Sequence, residues 1–424
     1  MRRKVIGTVG KRMFEVCEGE GFKYDLLKGD NSMKRVIYFQ LCFLFIGVLF
    51  AGVIVPTQAA APPILVGITE DVSGYNADAG RAQRDAVIMC IEEWNEKGGI
   101  NGRKIEYVFR DNGGDPTKAT TIAKEFVNLG VIGVKGATST TVGLAEAALF
   151  VPAQIPYVIC SMSSKFWDVK GPDGKWYAFS FVGSEPVVSE AWIEPVIKYV
   201  PKHKKVAILH VNNLWGKSIN DTIINLLKTK YAAEKMEVLG SIEMDLKADD
   251  ASKEVMRLKA LNPDVVLSVI FAQGYMAYFR ARHELNYQPP DSGYWGLAES
   301  VYLSSEPKFL YNFYGASDFD GGKKIALEKL EKFKKKYGYT PVTHWPPAYD
   351  AMSLLLTAIK NVGTDRIAIR DWLATKAKGT PVVAGNKMAV CRFEEGSPYF
   401  YSAIHAKDKA VVHIDKDGKQ KWLD

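Results

Sequence analysis

The chain has 424 residues, 47% hydrophobic and 24% charged, with a formal net charge of +7. That length and mixture suit a globular protein of two domains and exclude a disordered chain. Residues 1–59 hold nine Lys/Arg against five Asp/Glu, leaving only +3 on the remainder, too weak a balance for nucleic acid to be the main partner.

The chain opens with residues 1–32, polar, mixed in charge and without a helical stripe. Met33, Lys34 and Arg35 then introduce an apolar run from Val36 to Val55, followed by Pro56 and the small residues Ala59, Ala60 and Ala61. A basic start, an apolar middle and a small-residue end make a secretory signal peptide. The expectation is therefore an over-extended reading frame at 1–32 and a signal peptide at 33–60. The mature protein is expected to be periplasmic or otherwise extracytoplasmic. The run is also long enough to span a bilayer, so a retained anchor is the alternative. Past the leader only Cys90, Cys160 and Cys391 remain. An odd count gives no complete disulfide framework, and Cys90 and Cys160 read as buried free thiols.

Ile64 to Thr69 is an apolar strand, followed by the loop Glu70 to Tyr75 and a helix with Val87, Ile91 and Trp94 on one face. Gly98-Gly99 stops that helix. Asn101-Gly102 marks a turn, and Ile105 to Arg110 alternates as a strand. Asp115-Pro116 starts another helix. The apolar Val131 to Val134 then reads as a strand, Gly136 to Thr141 as a hydroxyl-rich loop, and Gly143 to Phe150 as a helix. The strand Tyr157 to Ile159 runs into a second hydroxyl cluster at Ser161, Ser163 and Ser164. Hydroxyls at a strand-to-helix turn have two readings. They cap the helix's orphan N–H groups, or with those groups they hold a small anion such as a carboxylate. Two such clusters on neighbouring strands favour the second, because loops at the carboxyl ends of an open α/β sheet converge on one crevice.

Strand and helix alternate to about residue 164, the pattern of a parallel, doubly wound sheet. The stretch ILVGITEDVSGYNADAG, the stretch EEWNEKGGINGRKIEYVFRDNGGDPTKA and the 131–164 segment together resemble the periplasmic leucine/isoleucine/valine-binding protein family. These are type I solute-binding proteins of ABC importers, and KGGINGRKIE is the most specific part.

After the Gly/Pro-punctuated loop 165–176, a second series begins. Its strands are Val206 to Leu209, Val238 to Ile242 and Val265 to Ile270, with a helix from about Trp215. Ala326, Leu330, Phe333 and Tyr337 then recur at helical spacing, closed by Gly338, and Tyr349 to Asn361 is another apolar helix. Short strand-like runs lie at Met388–Arg392, Tyr399–Ala406 and Ala410–Ile414.

Two α/β series imply two lobes with a cleft. The resemblance adds the chain path: lobe 1 from 61–180 and 316–385, lobe 2 from 181–315 and 386–424, joined by a three-segment hinge that closes on a ligand. It also implies the site residues. Thr138, Ser161 and Ser163 match the positions that hold the α-carboxylate and α-ammonium of the ligand. Trp215 matches an aromatic residue after the second lobe's first strand, and Phe271 or Ala272 a second aromatic position. Glu299 matches the acid that pairs with the ligand ammonium. The structural alternatives are a hydrophobic staple for Trp215 and an exposed surface acid for Glu299. The family often carries an aromatic just before Gly80, where this chain has Ala79; Tyr75 is the nearby substitute. The family's cysteine pair falls on Gly114 and Ala137, and the 165–176 loop with Trp167 and Trp176 is expected to overhang the cleft.

Enzyme signatures are missing. Gly216-Lys217-Ser218 resembles part of a P-loop, but Val211 stands where the earlier glycine belongs. No G-x-S-x-G elbow occurs. His203, His210, His283, His344, His405 and His413 never pair at zinc-ligand spacing. The resulting expectation is a monomeric, extracytoplasmic solute-binding protein without catalytic residues, cofactor or metal. It captures an amino acid, branched-chain-like, or a related small carboxylate, and delivers it to an ABC transporter permease. The alternative is a ligand-sensing module of the same fold feeding a receptor or regulator.

Overall fold

The computed structural model describes residues 61–304, 306–318, 324–342, 344–382 and 409–423. The expected extension 1–32, the signal segment 33–60, Cys391, His405 and the strand-like runs 388–392 and 399–406 lie outside them.

The first sheet is built on β1 (Ile64–Glu70), buried along its length apart from a half-buried Leu65. An apolar strand covered on both faces is what a helix-sandwiched parallel sheet requires. The order is β2 (Ile105–Asp111), β1, β3 (Val134–Gly136), β4 (Tyr157–Ile159), β5 (Ala178–Ser180), every pair parallel. Three helices connect them: α1 (Ala77–Glu96), α2 (Pro116–Leu129) and α3 (Thr140–Phe150). α2 begins where Asp115 accepts from the Thr117 and Lys118 amides, with Pro116 in its first turn, and ends on the left-handed Gly130. That cap delays the next strand. Val131 to Gly133 link α2 to β3, although the Ile132 amide already reaches the Leu65 carbonyl at 2.8 Å. α3 starts at Thr140, earlier than expected from the sequence.

The second sheet runs β12 (Gln420–Leu423), β11 (Ala410–Ile414), β10 (Phe313–Ser317), β9 (Asp291–Tyr294), β8 (Val265–Val269), β6 (Lys205–Val211), β7 (Glu237–Met244). β6 to β10 pair in parallel, whereas β11 and β12 form an antiparallel hairpin on the β10 edge. The sheet is therefore not parallel throughout. Its hairpin turns where Asp415 accepts from the Asp417 and Lys419 amides and Gly418 takes a positive φ. α4 (Glu185–Tyr199), α5 (Leu214–Lys228), α6 (Ser252–Leu261), α7 (Ala272–Glu284) and α8 (Trp295–Leu303) cover this sheet.

Beyond β10 the chain returns to the first sheet. α9 (Lys324–Tyr337) and α10 (Trp345–Val362) pack on α1, α10 also touches β3 and β4, and α11 (Arg366–Thr375) packs on α10. The loop 165–176 is part of that side too. Arg370 Nε donates to the Trp176 carbonyl at 2.7 Å and Lys175 pairs with Asp371 at 3.0 Å. The loop is therefore strapped to α11. Cys90 and Cys160 are buried free thiols.

Candidate functional site

In an open parallel sheet the crevice for a ligand opens where strand order reverses, outside the carboxyl ends of the two central strands. In the first sheet that point lies between β1 and β3, and in the second between β6 and β8. The loops leaving these strands meet each other. Tyr75, after β1, sets its ring edge-on to Phe271, after β8, at 5.2 Å between centroids. Phe271 packs on Trp215, after β6, at 4.8 Å, and Trp215 on Trp192 of α4 at 6.5 Å. Three of the residues expected at the site thus form one buried aromatic seam joining the two reversal points. Burial pushes the Tyr75 phenol up to about 12.

The local chain explains these placements. A Cβ on Gly80 would stand 2.1 Å from the Asp71 carbonyl, so only glycine lets α1 press onto the loop after β1. A Cβ on Gly216 would stand 2.1 Å from the Val211 carbonyl, which makes that glycine a close-packing residue of α5 and not part of a phosphate loop. Asn213 caps α5 through the Gly216 amide at 2.8 Å, fixing Trp215 in its first turn.

Thr138, Ser161 and Ser163 lie on neighbouring strand ends, and all three are buried. Thr140 and Ser161 share a hydroxyl hydrogen bond of 3.0 Å that ties the two clusters together. Each expected hydroxyl has an internal partner. Thr138 donates to Glu70 at 3.3 Å and accepts from Gln83. Ser163 donates to Glu185 Oε1 at 2.9 Å and caps the short helix Ser164–Asp168 through the Lys165 amide. Glu185 Oε2 accepts the Ser164 amide at 2.6 Å, and Oε1 also accepts Ser218 Oγ at 3.0 Å. The serine shelf after β4 does grip a carboxylate, but it is the chain's own.

Adjacent acids at the end of β1 differ sharply. Glu70 is buried in an ion pair with Lys135, which also donates to Gln83. Burial raises the Glu70 carboxyl while Lys135 pulls against it. Asp71 is just as buried, with the Asn76 side chain as its polar neighbour and no ion pair among the described residues. Burial pushes its carboxyl well above the usual range, with the Glu70 charge adding to the rise. Glu299 is buried in α8, not a surface acid, and interacts with the Tyr294 side chain. Asp71 and Glu185 were not among the expected site residues. Among the described residues no group of three His, Cys, Asp or Glu side chains is arranged to hold a metal.

Residues 63–396 match the periplasmic binding protein family. A Leu/Ile/Val-binding protein homolog of Brucella abortus is 26% identical over 228 residues, covering 53% of this chain and 58% of that protein's length. Another such homolog, from Brucella suis, is 24% identical over 357 residues, covering 79% of this chain and 85% of the relative. Among solved structures, a branched-chain amino acid transporter substrate-binding protein from Streptococcus pneumoniae in complex with isoleucine superposes with a TM-score of 0.72. That match has 19% identity and covers 85% of this chain and 99% of the other.

Proposed function

We propose that this chain, which belongs to the periplasmic binding protein family, captures an amino acid, branched-chain-like, or a related small carboxylate in the crevice between its two sheets. It then delivers the solute to an ABC transporter permease from the extracytoplasmic side, acting as a monomer. The observation that carries the reading is the meeting of the two strand-order reversals through Tyr75, Phe271 and Trp215. A scaffold that needed only stability has no reason to bring both crevices face to face.

In this reading 61–180 with 316–385 and 181–315 with 386–424 act as two lobes that swing about the connecting segments. Closure excludes water and strengthens each polar contact inside, and the solute shifts the balance towards the closed form. The seam supplies apolar walls for a side chain, while Thr138, Ser161, Ser163 and Glu299 supply the polar edge. The internal partner of Ser163 implies that the solute competes with Glu185 for that hydroxyl.

Thermal-shift screening of the full chain against the common amino acids and their deaminated carboxylate counterparts tests the proposal. A solute at 100 times its Kd stabilises the folded form by about 2.7 kcal/mol, and Phe271→Ala should abolish most of that effect. A flat response across the whole panel removes the solute-capture reading.

A further inference from the structure

The chain passes from one sheet to the other after β5, after β10 and before β11. The second and third of these passages meet. β11 runs antiparallel to β10, and the last rung of their ladder pairs Ser317 with Ala410. One step beyond that rung, where β10 has ended, Asp318 faces Lys409 in an ion pair whose side chains are 2% and 1% exposed. Opposite charges across two strands are ordinary on a sheet surface. A buried pair is different, because desolvation offsets most of the attraction and stability alone gives little reason to keep it. The best-attested use of such a pair is to select one arrangement over others.

Two more buried groups adjoin the pair. Tyr294, the last residue of β9, donates its hydroxyl hydrogen to Asp318 Oδ2, and the Lys409 ammonium lies 5.4 Å from the centre of its ring. The same phenol oxygen is 3.3 Å from Nδ1 of His344, with the ring centroids 4.9 Å apart. His344 is the N-cap residue of α10, the helix that packs on α1 and touches β3 and β4. Tyr294 thus belongs to the second sheet and His344 to the first-sheet side, and their contact crosses the boundary between them. A phenol has one hydrogen. With that hydrogen on Asp318, the oxygen can only accept from His344. Burial, with the Lys135 and Lys409 charges nearby, lowers the imidazole to about 3, so the ring is neutral and has one N–H to give.

We propose that the Tyr294–His344 contact is a latch that holds the two sheets in the arrangement where their crevices meet, with the Asp318–Lys409 pair as its brace. Asp318 takes the phenol hydrogen and so turns the phenol oxygen's lone pair to His344. Lys409 holds Asp318 in place and ties the strand that leaves the second sheet to the strand that returns to it, so the two bend together. Swinging the sheets apart withdraws β9 from the start of α10 and breaks one hydrogen bond between neutral groups, a weak fastening suited to a contact that has to release. The inference takes the two-lobed motion from the reading above and holds whichever solute enters.

Solution X-ray scattering on the full chain, purified free of solute, tests the latch. Tyr294→Phe and His344→Leu each remove the bond and keep a side chain of similar size. Both should raise the radius of gyration above the parent's, and circular dichroism melts establish that they fold. The double variant should rise no further than Tyr294→Phe alone, because side chains that share one bond do not add. Replacing the brace by Asp318→Leu with Lys409→Met should give the same expansion, since an apolar pair keeps such a site folded but no longer takes the phenol hydrogen. A parent-sized radius in the folded Tyr294→Phe protein or in the folded brace variant overturns the proposal. So does a double variant that expands by the sum of its two singles. Loss of the cooperative melt in all three also overturns it, by making the group a structural one. None of these measurements involves a solute, and the thermal-shift screen involves none of these residues, so either reading can fail while the other stands.

Discussion

Asp291 and Asp71 are both buried aspartates at strand ends, and their surroundings are opposite. Asp291, at the amino end of β9, takes Arg282 Nη1 at 3.0 Å, Ser268 Oγ at 2.6 Å and Tyr278 OH at 2.6 Å. Arg282 also donates to the Pro289 carbonyl at 2.7 Å, leaving only its Nε without a partner. Asp71, just past the carboxyl end of β1, has no ion pair among the described residues and leans on the Asn76 side chain instead. Away from the crevice, then, a buried charge comes with partners that hold the scaffold in one arrangement. At the crevice Glu70 keeps such a partner in Lys135, whereas Asp71 beside it has only neutral neighbours. The difference separates acids braced by a cation from one braced by neutral groups alone.

The sharpest way to break the comparison is to orphan the satisfied acid. Arg282→Met leaves Asp291 buried without its counter-ion and should cost about 3–5 kcal/mol in urea unfolding. A loss below about 1 kcal/mol would mean that the partners of Asp291 do little for stability, and the contrast would collapse.

Glu146 lies between the two extremes, buried with hydroxyl donors from Thr69 at 2.8 Å and from Tyr157 but no cation in contact. Burial raises its carboxyl to about 8 from an ordinary 4.5. The folded state therefore keeps a proton that the unfolded state releases. The stability linked to this group is fully present below pH 4.5 and is lost as pH rises towards 8. The loss amounts to a few kcal/mol, because each pH step between those two values is worth about 1.4 kcal/mol. Glu146→Gln should flatten the fall of melting temperature across that window; an unaltered slope would contradict the raised carboxyl.

The smallest effect belongs to Asp71 in the solute-free protein. Asp71→Asn removes a buried carboxylate that has no ion pair to lose, so unfolding free energy should stay within about 1 kcal/mol of the parent. A loss of several kcal/mol would place Asp71 with Asp291 as a structural acid.

Much of this architecture is written in local signals. The apolar Ile64 to Thr69, the Asp115-Pro116 start and the Gly130 stop of α2 need only near neighbours to act. β9 escapes a sequence reading because Asp291-Ser292-Gly293-Tyr294 has no apolar run; partners elsewhere in the chain make its polar residues buried. β5 and β12 are too short to show a period. At the site, Tyr75, Trp215 and Phe271 came from the family resemblance, which could be aligned there because each follows a readable strand. Asp71 and Asn76 could not, since an acid and an amide after a strand look like an exposed turn, and only the press of Gly80 onto the loop reveals otherwise. Nor does the spacing of Ser163 and Glu185 along the chain announce that the second will occupy the first.

Glu185 has a consequence for how the molecule moves. It begins α4 just past β5, where the chain leaves the first sheet, and holds Ser163 and Ser164 while anchored to Ser218 of α5. A swing of one sheet against the other either turns about this carboxylate or breaks both of its links to the serine loop at once. Glu185 therefore serves as fulcrum or as catch, and the energy needed to part the two halves depends on which.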